Sequence, residues 1–400
     1  MRAPSEKSLL LLIGAVQFVN ILDFMMVMPL GPDFARALGI PASNLGLIGG
    51  SYTASAAVSG LAGAFFLDRI DRKTALVFAL VGLAIGTVAG GLATGLSTLL
   101  LARVVAGAFG GPATALSLAI IADAVPPERR GRAMGAVMGS FSVASVLGVP
   151  AGLELARVGG WRLPFFAVGA LGGLVALLAA AVLPPLRAHL DARAARGSTT
   201  AGSFSFLWRP TVALSLVSTF VAMFGNFALI PNLSAYVQMN LGYPRERLGL
   251  LYLAGGVLSF GAMRVAGGLV DRIGPSPVAG MGMLLYVPIV ISGFALPAPL
   301  LPVIVLFAAF MMTGSFRVVP MQALASRVPS ADERARFMSA QSAVQHFASA
   351  GGAMLASRML ATLPDGRLEG MPRVAWLSVT LAFTLPFILW RVESRVRSAR

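Results

Sequence analysis

Asp23, in the run NILDFMMVMPLGP (residues 20–32), is the only charged residue between Ser8 and Leu30. A helix through those residues would be about 35 Å long, enough to cross the hydrocarbon core of a bilayer. An ionised acid at that depth costs about 2.5 kcal/mol or more unless it is protonated, paired or hydrated. Its helical face includes Asn20 three residues before and Met26 three residues after. Arg103, Arg264 and Arg317 also lie inside apolar runs. Arg264 is two turns from Asp271 and can snorkel to the membrane surface. Arg317 is ten residues from the end of its run, so water, carbonyls, an anionic ligand or Asp23 must meet it. Two chemistries suit an acid among arginines. The charges can merely neutralise each other, or the acid can alternately take a proton and a cationic or polar ligand as its surroundings change.

Other polar groups extend the set. In QSAVQHF (341–347), Gln341 and Gln345 share one face, and His346 points nearer that of Ser342. His346 can titrate near neutral pH or simply bond a neighbouring helix. Asn226, Asn232 and Gln238 are polar enough to line a path, and Pro231 among them is expected to break the helix as a hinge.

The chain that must position these groups has 400 residues, 57% apolar and only 12% charged. Soluble domains carry about 25% charged residues, so this is a polytopic membrane protein. Its strongly basic balance is spread through short loops with few aromatics among them, which fits membrane topology and not nucleic-acid binding. With no cysteine and only two histidines, His189 and His346, thiol chemistry is excluded and no metal site is expected. The first apolar run is too long for a signal peptide and is read as retained.

Apolar segments fall at about 8–30, 44–67, 74–93, 97–123, 132–156 and 162–183, then at 210–239, 245–270, 277–296, 299–327, 336–361 and 372–391. The reading is an all-α protein of 12 transmembrane helices in two six-helix bundles. These are residues 1–183 and 210–400, joined by a polar linker over 184–209. Lys and Arg far outnumber those opposite on the face that carries both termini, so the termini and the linker are placed in the cytoplasm. The halves also repeat. LDRIDRK (67–73) is answered by VDRIG (270–274), and PPERRGRAMG (126–135) by PSADERARFMSA (329–340), at offsets of 203 and 204 residues measured from Asp68 and Arg130. Duplicated halves typify transporters that rock about a midplane site.

On these segments the sequence resembles the major facilitator superfamily. Asp68, Arg69, Arg72 and Lys73 match its G-x-x-x-D-R-x-G-R-K loop, with Ala64 and Asp71 at the glycine positions. Gly267, Asp271, Arg272 and Gly274 form a second copy that ends in Pro275. Arg103 and Gly107 resemble its fourth-helix R-x-x-x-G motif. GVPAG (148–152) and GWRLPFF (160–166) resemble the drug and sugar efflux branch, where a Gly/Pro motif bends the fifth helix. The resemblance implies that spans one, four, seven and ten line a central cavity, each here with an in-span polar group: Asp23, Arg103, Asn226 and Arg317. Gly107, Gly110, Thr114 and Ser117 follow Arg103 as a stripe small enough for a cavity or for close packing.

The expected substrate cavity therefore comprises Asn20, Asp23, Met26, Arg103, Asn226, Arg317, Gln341, Gln345 and His346, with Asp23 and Arg103 coupling protons. Asp68, Arg69, Arg72, Lys73, Asp123, Asp271 and Arg272 either serve topology alone or form a cytoplasmic gate. In the gate reading Arg72 pairs with Asp123, and Asp68 faces the start of span eleven near Arg336.

No P-loop is present, since neither Lys7 nor Lys73 follows the required glycines. The expectation is a proton-coupled secondary transporter without a cofactor. It would be a monomer in the bacterial cytoplasmic (inner) membrane, exporting a small amphipathic molecule by rocker-switch alternating access. Its partners would be that molecule, protons and the lipid bilayer, with no nucleic acid. The alternatives are an uptake permease or passive facilitator and, from another class, a membrane-embedded enzyme or lipid scramblase.

Overall fold

Apolar runs removed from water must satisfy their backbone groups internally, and these do so as helices. The computed structural model describes residues 5–66, 70–126, 133, 137, 139–187, 190, 204–329 and 334–398. Asp68, Arg69, most of the basic stretch after Pro126 and the linker from 191 to 203 lie outside the described residues.

The order is α1 (Glu6–Val27), α2 (Gly31–Leu38), α3 (Leu45–Phe66), α4 (Arg72–Gly91), α5 (Leu96–Ala124), α6 (Ser140–Val143), α7 (Val149–Gly159) and α8 (Arg162–Val182). It continues with α9 (Pro210–Met239), α10 (Leu248–Ile273), α11 (Pro275–Val290), α12 (Val303–Ala325), α13 (Arg334–Met359) and α14 (Met371–Ser398). A minimal antiparallel ladder, β1 (Ala361–Thr362) with β2 (Leu368–Glu369), precedes α14. Among the described residues nine helices are long and apolar enough to cross a membrane. Phe78, Leu177, Leu284 and Phe387 stand more than half exposed on their flanks. Such a surface calls for lipid, not water, around it.

Contacts divide the chain into two compact units, residues 1–30 with 51–202 and residues 31–50 with 203–400. A plain division at the linker would place 31–50 in the first unit. Side chains place it in the second: Asp33 accepts from Arg245 Nε at 2.8 Å, and Ser43 N donates to Thr362 Oγ1 at 2.9 Å. Within the first unit α4 packs on α5 and α8, and α1 packs on α6 and α7. Within the second, α11 packs on α12 and α14, and α9 packs on α13. Span three thus treats four and six as span nine treats ten and twelve, the pairing that a duplication requires.

Two prolines give different outcomes. The fifth span is interrupted before Pro150 by one π-helical turn, Ala144–Gly148. That turn shifts the hydrogen-bond register where the proline ring has no N–H to give. Pro231, expected to break its helix, does not: α9 runs unbroken from Pro210 to Met239 with Pro231 inside it. Buried Leu229, Asn232 and Leu233 beside it show how tightly the surrounding packing holds this stretch.

Candidate functional site

In the first unit, α1 and α5 bring Asp23 and Arg103 together. Arg103 donates through Nη1 to Asp23 Oδ1 at 3.1 Å and through Nη2 to Oδ2 at 2.9 Å, an end-on fork. Thr87 Oγ1 on α4 lies 2.6 Å from Asp23 Oδ1. Asp23 is 0% exposed and Arg103 1%. Tyr52 on α3 lays its ring 4.7 Å from the Arg103 guanidinium carbon. The same tyrosine donates to Asn20 Oδ1 at 2.6 Å, and Asn20 Nδ2 donates to the Gly110 carbonyl at 2.8 Å and to Thr114 Oγ1 at 2.7 Å. Four helices thus converge on one neutral ion pair. Desolvating two charges is costly, and the bidentate geometry with added hydrogen bonds is what offsets it.

The glycine stripe on α5 resolves as close packing. A Cβ at Gly107 would lie 2.2 Å from the Tyr52 carbonyl oxygen, and one at Gly110 would lie 2.2 Å from the Tyr52 hydroxyl. No larger residue at either place leaves Tyr52 under Arg103. Met26 is buried in the interior of this unit.

The second unit holds a related arrangement, a buried arginine over a tyrosine, built from different positions. Arg317 on α12 is 1% exposed, and its Nη1 donates to Asn226 Oδ1 on α9 at 2.7 Å. Its guanidinium carbon lies 4.2 Å from the ring centre of Tyr286 on α11. The Tyr286 and Ser378 hydroxyls are 2.5 Å apart, and Ser378 donates to the Gly225 carbonyl at 2.8 Å. Asn226 stands 203 residues after Asp23, the offset that relates Asp68 to Asp271. Arg317, by contrast, stands 214 residues after Arg103, so the acid's position follows the repeat and the arginine's does not.

The remaining expected residues are not hydrogen-bonded to either arginine among the described residues. Gln341 donates to Gln322 Oε1 at 3.0 Å, while Gln345 and His346 lie partly buried farther along α13. Arg264 is exposed and stacks 4.2 Å over the ring of Phe260.

At the loop motifs, Arg72 Nε donates to Asp123 Oδ2 at 2.6 Å, joining the start of α4 to the end of α5 within one unit. Lys73 follows in the same first turn of α4. Asp71, at a glycine position of the motif, caps α4 by accepting from Thr74 N at 3.0 Å. In the second copy Gly274 has φ +91°, and a Cβ there would lie 2.8 Å from Glu393 Oε1. Glu393 on α14 accepts from Ser276 N at 3.1 Å and so caps α11 from another helix. A cavity of about 310 Å³ opens beside this cap, lined by Asp271, Arg272, Gly274, Arg327, Glu393 and Arg397 among others.

Thr87, Tyr52, Tyr286, Ser378 and Glu393 escaped the sequence reading. One signal was available for two of them: the chain has only five tyrosines, and two lie under buried arginines.

Comparison with known proteins agrees with this architecture. The family model described as Major Facilitator Superfamily matches residues 13–394. The purine ribonucleoside efflux pump NepI of Shigella sonnei is 28% identical over 271 residues, covering 67% of this chain and 66% of the relative. The pump of the same name from Escherichia coli (strain K12) has the same identity and coverage. The match therefore spans just under two thirds of these relatives' length. Among solved structures, a bacterial homolog of the human lysosomal transporter Spinster, inward-facing and occupied, aligns with a TM-score of 0.78 at 19% identity. That alignment covers 98% of each chain. A D-xylose–proton symporter aligns at 0.74 and 18% identity, over 96% of this chain and 97% of the other. At such identities these structures establish the fold alone.

Proposed function

The chain belongs to the major facilitator superfamily, and from that premise we propose that it is a proton-coupled exporter of a small amphipathic molecule. It is a multi-pass membrane transporter; direction, coupling and cargo are our reading. The buried Asp23–Arg103 pair carries it.

With Asp23 ionised, the pair is neutral and its fork ties α1 to α5. A proton taken by Asp23 removes one charge and leaves the Arg103 guanidinium uncompensated in a poorly solvated place. The tie between α1 and α5 then weakens, and the two helices are free to shift. Loss of the proton restores the pair. A proton that binds the two arrangements unequally shifts the balance between them, and a gradient can then drive the cycle. The cycle is rocker-switch antiport between the two units. The basic loops support placing both termini in the cytoplasm, with the protein in the bacterial inner membrane. Arg72 and Asp123, with Asp271 and Arg272 in the second copy, are proposed to act at the cytoplasmic gate.

The relatives' name makes purine ribonucleosides the first cargo to try. In everted membrane vesicles with an acidic interior, a radiolabelled purine ribonucleoside should accumulate, and a protonophore should abolish the accumulation. Equal uptake with and without the protonophore would instead indicate a passive facilitator.

A further inference from the structure

Arg317 carries a charge that its surroundings do not balance. Its Nε and Nη2 have no hydrogen-bond partner among the described residues, although the side chain is 1% exposed. Those two nitrogens form the side-on edge of the guanidinium, whose parallel N–H groups match the two oxygens of a carboxylate or a similar oxyanion. The remaining nitrogen, Nη1, is held by Asn226, a neutral acceptor. Below, Tyr286 offers only the negative face of its ring. Arg103 in the first unit faces a similar ring but also a carboxylate. Of these two buried arginines, only Arg103 has a carboxylate bonded to it among the described residues.

Both nitrogens are shut off from solvent, and a Cβ at Gly225 would already be in ordinary contact with Nη2 at 3.5 Å, so an anion reaches this edge only as the helices around it part. Tyr286 is fixed from behind by Ser378, and Ser378 by the Gly225 carbonyl, so the shelf under the guanidinium is built and rigid.

We propose that Arg317, seated on Tyr286 and oriented by Asn226, is an oxyanion site that takes a carboxylate or comparable two-oxygen anion on its side-on edge. The source is a free inorganic anion or an acidic group on an organic molecule. The site goes beyond the transport reading and does not depend on it, since a purine ribonucleoside has no acidic group.

The test is a binding measurement that needs no transport. The full-length protein in lipid nanodiscs is unfolded by heat, followed by tryptophan fluorescence, at ionic strength held constant with chloride. Sodium benzoate should raise the unfolding midpoint saturably, and neutral benzamide should not. Sulfate in place of benzoate separates the sources. A rise with both assigns the site to oxyanions at large, and a rise with benzoate alone assigns it to organic acids. Asn226→Asp supplies the missing charge from within, so it should fold and lose the benzoate response. Arg317→Gln should weaken the response by about tenfold or more. No rise with either anion, an equal rise with benzamide, or a response that survives in both variants would overturn the proposal.

Discussion

Asp23 is held by three donors and seen by no solvent, so its replacement separates charge from shape. Asn226 beside Arg317 is a natural example of the amide form of the pair. Asp23→Asn should therefore fold, with a loss of stability of about 1.5–3 kcal/mol, because the amide still accepts from Arg103 but leaves its charge unbalanced. Asp23→Ala leaves the buried Arg103 without its partner and should cost about 3–5 kcal/mol. Thermal unfolding of both variants in detergent checks the order; an Asn variant as unstable as the Ala variant would contradict it. The depth of Asp23 and its partner were within reach of the sequence, because one acid in a long apolar run narrows the choices to a few. Thr87 and Tyr52 were not. They come from helices whose rotation about their own axes is set by packing, and an all-round apolar helix gives no stripe from which to read that rotation.

At the scale of the element, α5 is shaped by what it cannot carry. Gly107 and Gly110 let α3 approach until backbone and ring touch. Gly110→Ala places a methyl group 2.2 Å from the Tyr52 hydroxyl and 2.9 Å from Asn20 Oδ1. We expect it to destabilise the protein by about 1–3 kcal/mol, and to do so as an overpacking mutation while Asp23 and Arg103 are intact. Denaturation of the variant measures this, and unchanged stability would mean that the two helices are free to part. The sequence left cavity and close packing equally open for this stripe, since small residues serve either use. Helix limits were easier. The apolar run at 210–239 matches α9, and that at 162–183 matches α8 to within one residue. Pro231 misled because sequence gives the intrinsic cost of a proline but not the neighbours that hold the helix through it.

Over the whole molecule, duplication is the organising fact. The offset of 203 residues that links the two loop motifs also links Asp23 to Asn226, and each member sits beside a buried arginine that stacks on a tyrosine. One unit holds a complete ion pair and the other an arginine with an amide. That asymmetry is the basis for assigning the proton to the first unit. The segment 31–50 packs with the second unit through contacts such as Asp33–Arg245 and Ser43–Thr362, which join residues far apart in sequence and leave no local pattern to read. The most direct measurement is of the proton itself. Purified protein is reconstituted into liposomes loaded with a pH-sensitive dye, and a transported purine ribonucleoside is added on one side. Wild-type protein should move protons when the cargo is added, and Asp23→Asn should abolish that proton movement. Cargo-dependent proton movement undiminished in Asp23→Asn would contradict the account.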